Sequence, residues 1–192
     1  SFKREFECGK AQAERIECWA RSTGVWIDRT DVYMQQNFGV HIAEGGEAQV
    51  YDNGPVVVKT IGLDYFVLPE LALDRISLHN TYFPQTAMRV LGFGRNSDGE
   101  FQIIVEQPFI QGEKMQDEDI KTYAEKLGYR IVNPKNWTYA TPTVYLSDMH
   151  DENVIRSNKG NVFVIDCDIR INIPELKAGG IRRLTNEIDI IG

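Results

Sequence analysis

Apolar residues along this chain follow two rhythms. The first is helical. Residues 10–21, Lys-Ala-Gln-Ala-Glu-Arg-Ile-Glu-Cys-Trp-Ala-Arg, are rich in strong helix formers and predict a helix with Ala11, Ile16 and Trp19 on one face. Ser22-Thr23-Gly24 ends it. A shorter helix is expected over 29–37 with Asp28 as its N-cap, and Trp26 and Ile27 are expected in a core. Residues 67–79 carry a stripe of Leu68, Leu71, Ala72, Ile76 and His79, with Pro69 suited to the first turn and a helix exit at 79–81. The last helix, from Asp117 to Leu127, puts Ile120, Tyr123, Ala124 and Leu127 on one face. Its acids come first, Lys126 comes last and Gly128 follows as a C-cap.

The second rhythm is short apolar runs separated by turn residues. It predicts strands over 40–44, 49–52, 55–60, 88–94 and 101–107, joined as a five-stranded antiparallel sheet. Asp52-Asn53-Gly54 and Asn96-Ser97-Asp98-Gly99 are strong turn signals within it. Gly112 to Lys114 reads as a loop. Short strands are expected over 129–132 and 137–140, and a terminal strand from Arg170. Between them, Asn153-Val154-Ile155 and Val162-Phe163-Val164-Ile165 flank the turn Asn158-Lys159-Gly160-Asn161 and predict a hairpin. That hairpin brings Asp148 and Asn153 near Asp166. Three oxygen ligands then meet in one place, as hard Mg²⁺ requires. Asp168 falls on the same side of a strand as Asp166, either as a further ligand or as a cap on a neighbouring turn.

Composition narrows the function classes. The 192 residues, 42% hydrophobic, suffice for one domain or two small lobes with a real core. No apolar run approaches the roughly 18 residues of a membrane span, and the start has no signal-peptide pattern. Cys8, Cys18 and Cys167 form neither a disulfide framework nor a zinc spacing, so a reducing, cytoplasmic compartment is expected. A net charge of −7 argues against nucleic acid as a direct ligand but leaves a local phosphate site open.

The spacing of the acids carries a resemblance. Asp148 and Asn153 stand five apart and Asp166 follows thirteen later, which resembles the catalytic-loop and metal-binding signatures of the protein-kinase-like fold. The spelling Asp-Met-His-Asp-Glu-Asn is similar to the D-x-H-x-x-N of small-molecule and atypical kinases. The chain as a whole, from about 44 to 168, looks most similar to the short serine/threonine/tyrosine kinase-like domains of bacterial and phage polyvalent proteins. Gln-Pro-Phe-Ile-Gln-Gly at 107–112 is part of that likeness.

The resemblance implies an α+β fold. A helical arm and an N-lobe, with the five-stranded sheet and one main helix, would fill 1–107. A reduced C-lobe with the catalytic-loop hairpin would fill 108–192. It implies transfer of phosphate from ATP with Mg²⁺ to a protein hydroxyl or a small molecule, the acceptor being open. The alternative it allows is an inactive kinase-like module that binds nucleotide or another protein within a larger polypeptide. Gly45, Gly46 and Val50 would cover the nucleotide, with Glu47 pointing away. Lys59, thirteen beyond Gly46, would hold the α/β-phosphates. Glu70, in preference to Asp74, would orient Lys59. Glu106 and Gln107 would form the hinge against adenine. Asp166 and Asn153 would hold the metal, and Asp148 would face the acceptor hydroxyl. His150 would either donate to the γ-phosphate or fasten the loop.

Several features depart from the family pattern. Pro108 has no N–H where adenine usually finds a donor, so either the register shifts or the contact is a carbonyl plus apolar packing. No glycine follows Asp166-Cys167, and no long helix fits before the catalytic loop. Only 24 residues follow Asp168. The second lobe is therefore expected to be minimal, or the chain to be one part of a longer polypeptide. The missing activation segment argues against regulated recognition of a peptide.

Overall fold

Strand alternation decides how the first half of the protein is layered. The computed structural model describes residues 2–38, 41–44, 48–63 and 68–171. Its first half runs α1 (Phe2–Thr23), β1 (Trp26–Asp28), α2 (Thr30–Asn37), β2 (His41–Glu44), β3 (Ala48–Asn53), β4 (Val56–Ile61), α3 (Pro69–Tyr82), β5 (Arg89–Arg95) and β6 (Phe101–Pro108). The strands form one sheet of six in the order β1-β5-β6-β4-β3-β2. Both faces of β6 are covered at its centre, where Ile103-Ile104-Val105 run apolar and buried. Phe101, Ile103 and Val105 join Ala13, Ala20, Ala72 and Ile76 in a core beneath α1 and α3. Ile104, on the opposite face, packs with Tyr51, Val58 and Met34 of α2.

Several sequence expectations change here. The buried face of α1 is Ala13, Ile16 and Ala20, at helical spacing, whereas Trp19 is 55% exposed. Asp28 does not cap α2; it accepts hydrogen bonds from Arg21 and from the Trp26 indole, and Arg29 is the N-cap residue without a side-chain bond. The segment Trp26–Asp28 is itself a strand, parallel to β5. Gly94 permits this. A Cβ there would collide with the Ile27 carbonyl and the Thr30 side chain, so only a glycine lets the two backbones approach. Helix α3 also continues past the expected exit to Tyr82, and its residue Leu71 is 40% exposed rather than packed.

The second half runs β7 (Gly112–Lys114), α4 (Asp117–Lys126), β8 (Arg130–Asn133), β9 (Thr138–Ala140), β10 (Val144–Ser147), β11 (Val154–Ser157), β12 (Val162–Val164) and β13 (Asp168–Ile171). Two small antiparallel sheets result, β13-β10-β9-β8 and β12-β11-β7. The stretch read as a loop at 112–114 is therefore a strand, paired with β11. Its Gly112 lies so close to the Arg156 carbonyl that no Cβ fits. Met115, Ile120, Tyr139, Leu146, Met149, Val154 and Val164 form one core, which Phe83 joins from the end of α3. The whole is α+β. Among the described residues no helix is long and apolar enough to cross a membrane.

Candidate functional site

Lys59 is the least comfortable residue in the sheet. Its β4 position pairs with Val50 of β3 on one side and Val105 of β6 on the other. The three side chains thus share a row on the α3 side of the sheet. Lys59 is 7% exposed, and among the described residues no hydrogen bond or ion pair reaches it. Burial pulls its pKa down; nearby Asp166 acts in the opposite sense, and Arg75 adds to the lowering. An ammonium so placed costs stability unless an anion meets it.

Asp166 follows the predicted hairpin. Val154, Ile155 and Arg156 pair with Val164, Phe163 and Val162, and the Ile165 N–H donates to the Asn153 carbonyl at 2.9 Å. Asn153 and the residue before Asp166 are thereby held across one rung. The loop ahead of the hairpin is closed by its own side chains. The Asn153 amide donates to the Asp148 carbonyl at 2.8 Å and to its Oδ2 at 3.1 Å. His150 Nδ1 accepts the Glu152 N–H at 3.2 Å, and its Nε2 lies 3.1 Å from the Asn153 amide nitrogen and 3.3 Å from Asp148 Oδ1. The His150 ring also lies against Trp137, with centroids 5.3 Å apart. Of the two roles expected for His150, fastening the loop is the one its contacts describe. Asp148 adopts φ 63°, in the left-handed region that aspartate enters more readily than most residues.

Helix α3 delivers a different residue from the one expected. Glu70 is exposed; its carboxylate accepts from Gln12 of α1 at 2.9 Å and does not meet Lys59. Arg75 turns inward instead. Its Nη2 donates to Asp166 Oδ1 at 2.9 Å and its Nε to the Cys167 carbonyl at 3.2 Å. Asp168 stands apart from this group: Arg170 holds its carboxylate at 2.6 Å.

At the expected hinge the side chains of Glu106 and Gln107 leave the sheet on opposite faces. Gln107 lies on the face of Val105. Its side chain is 1% exposed and points into the protein, donating to the Thr86 carbonyl at 2.6 Å and to the Ile165 carbonyl at 2.9 Å. Thr86 in turn donates to the Val164 carbonyl, and His79 Nε2 lies 3.1 Å from the Thr86 carbonyl. Burial keeps the His79 pKa low, so its imidazole is neutral. This buried polar clamp ties β6 and α3 to the segment just before Asp166. Glu106 faces the opposite side of the sheet, in the row of Val58, where Arg89 holds it at 2.8 Å. Pro108 supplies no N–H, and the Phe109 N–H is taken by the Pro55 carbonyl at 3.0 Å. Gly45, Gly46 and Glu47 lie outside the described residues.

The oxygen donors of Asp166 and Asn153 suit a hard divalent cation. Among the described residues, no three His, Cys, Asp or Glu side chains gather as a metal cluster. A cation there would complete its shell with water and phosphate oxygens, the usual habit of Mg²⁺. A separate open cavity of about 580 Å³, lined by Asp31, Gln35, His41, Gln49, Tyr51 and Gln102 among others, lies toward α2. It contains none of Lys59, Asp148, Asn153 or Asp166.

Arg75, Thr86 and Trp137 were not singled out from the sequence. A signal existed for Arg75, which lies three residues after buried Ala72 and four before buried His79. The family model described as "Serine/Threonine/Tyrosine Kinase found in polyvalent proteins" matches residues 9–173. No curated protein matches the chain.

Proposed function

Since the chain belongs to the family of serine/threonine/tyrosine kinases found in polyvalent proteins, we propose that Lys59, Asp148, Asn153 and Asp166 form an ATP- and magnesium-dependent phosphotransfer site. The observation that carries this reading is the buried, unneutralised Lys59 within the field of Asp166. A lysine there has an evident use if a phosphate group enters between Val50 and the hairpin.

Each residue then has a task. Lys59 binds the α/β-phosphates, and the row of Val50 and Val105 packs against the base end of the nucleotide. Asp166 and Asn153 hold the magnesium, which when bound would offset charge on the phosphoryl oxygens. Asp148 accepts the proton of the acceptor hydroxyl or aims it for in-line attack. His150, whose Nε2 lies near both Asp148 and the Asn153 amide, fastens the loop that carries that carboxylate. The adenine contact relies on carbonyl acceptors and apolar packing, because residues 108 and 109 offer no free N–H. The acceptor is a protein hydroxyl or a small molecule.

A second reading is a module that binds nucleotide without transferring phosphate. The ion pair of Arg75 with Asp166 favours it, since that carboxylate is already partnered. Calorimetric titration with ATP, with and without Mg²⁺, tests the first reading on wild type and D166A. Magnesium-dependent binding that disappears in D166A supports it. Equal ATP affinity in the two proteins would sink it.

A further inference from the structure

The Asp166 carboxylate already has a cation, and that cation belongs to the protein. Arg75 grips the segment at two points, through Nη2 to Asp166 Oδ1 and through Nε to the Cys167 carbonyl. The contact is not a loose surface pair. The Arg75 side chain is 15% exposed and that of Asp166 34%. Partial burial strengthens such a charge-assisted pair relative to one in water. The two residues lie 91 apart in the chain, so the contact depends on how α3 packs rather than on any local turn. The second grip, on a backbone carbonyl, keeps the guanidinium in place even if the carboxylate rotates.

A hard cation makes the same demand on Asp166 as Arg75 does. Among the described residues no further acidic cluster offers a divalent ion another home. The protein's own donors near Asp166 are few, so most of a magnesium shell has to arrive as water or phosphate oxygen. A bare ion therefore has to displace a guanidinium with little in return. An ion that arrives on a nucleotide brings its remaining oxygens with it, and its phosphates give Arg75 and Lys59 new partners.

We propose that Arg75 is a positioning residue that competes with the divalent cation for Asp166, so that metal enters this site with nucleotide and not before it. The inference rests on the phosphotransfer reading of the site. It adds an order of entry and gives α3 a task different from the one expected of Glu70.

The test uses Mn²⁺ as a spectroscopic substitute for Mg²⁺. Free Mn²⁺ is followed by electron paramagnetic resonance in wild type, R75M, R75K and D166N, with and without a non-hydrolysable ATP analogue. Without nucleotide, R75M is expected to bind Mn²⁺ about tenfold more tightly than wild type. R75K, which retains the charge but not the fork, falls between them. D166N removes the site in either background. With the analogue present, the gap between wild type and R75M is expected to narrow to about twofold.

Equal Mn²⁺ affinity in wild type and R75M, lost in D166N, overturns the competition and leaves the phosphotransfer reading intact. Mn²⁺ binding in none of the proteins, with or without the analogue, overturns both. If R75M does not fold, the wild type still decides the matter through the Arg75 Nε–H signal in nuclear magnetic resonance, assigned by its loss in R75K. That signal is expected to move on addition of Mg²⁺ with the analogue and to stay in place with Mg²⁺ alone. Movement with Mg²⁺ alone, or none with both, overturns the competition.

Discussion

The hairpin that carries Asp148, Asn153 and Asp166 and the helix that carries Glu70 and Arg75 meet at one point by different rules. In the hairpin, sequence spacing translates directly into contact. A turn at Asn158-Lys159-Gly160-Asn161 between two apolar runs sets the register, and the register sets which residues oppose each other. In α3 spacing gives a stripe but not its direction. Whether residue 70 or residue 75 faces the sheet depends on how the helix rolls against α1 and β6. Gln12 of α1 draws Glu70 outward, and Asp166 draws Arg75 inward. Contacts within a hairpin can be read locally, whereas the inward residue of a helix is decided by partners far away in the chain.

The largest expected effect tests the hairpin side. D148N should retain ATP affinity within about twofold and lose at least about 100-fold in turnover, in line with the removal of a positioned proton acceptor. Initial rates and calorimetry on the same preparations check this. A large loss of affinity with normal turnover would move Asp148 from the acceptor to the nucleotide.

Gln107 joins the two regions, and its loss should be felt by both. Q107L removes the donor to the buried Ile165 carbonyl and leaves the Thr86 carbonyl to His79 alone, so stability should fall by about 1–3 kcal/mol in urea unfolding. A change below about 0.5 kcal/mol would mean the clamp is not holding the β6 end to the hairpin.

Lys59 should show the opposite sign. K59M removes a buried ammonium and is expected to raise stability by about 1–3 kcal/mol while weakening nucleotide binding. The pH dependence follows from the lowered pKa. Between the folded value and the ordinary value of 10.5, the unfolded chain binds more protons than the folded one. Wild-type stability therefore rises with pH through that window, and the advantage of K59M shrinks there. Thermal melts of both proteins across the alkaline range measure it. A K59M protein that melts lower than wild type at neutral pH contradicts this account of Lys59.

The smallest effect sharpens the contrast within α3. E70A should change ATP affinity by less than about threefold, because Glu70 is bonded to Gln12 on the surface and a substitution there disturbs little. A tenfold loss would show that Glu70 turns to Lys59 once nucleotide is bound.

Much of the fold was legible. Five antiparallel strands of the sheet, α3, α4 and the 154–164 hairpin follow from apolar runs, helical stripes and turn residues. Three strands escaped notice: β10, which pairs between β9 and β13, and the shorter β1 and β7, which are three residues long and show too little alternation to be read. Both sit against glycines in places where no side chain fits, Gly94 and Gly112. Gln107 lies in step with Phe101, Ile103 and Val105, so strand period alone put its side chain on the buried face. Arg75 was harder to read, because an arginine on an apolar stripe is normally placed at the surface and its partner lies 91 residues on.

The central claim is that Lys59 and Asp166 serve one ligand, the phosphate end of a metal-bound nucleotide. The most direct measurement is the ATP dissociation constant in saturating Mg²⁺ for wild type, K59M, D166N and the double variant. If both residues act on the same bound phosphate, the double variant should bind no more weakly than the weaker single variant, a strongly non-additive result. Losses that simply add would mean that the two residues act independently, and a single Lys59–Asp166 nucleotide site would be contradicted.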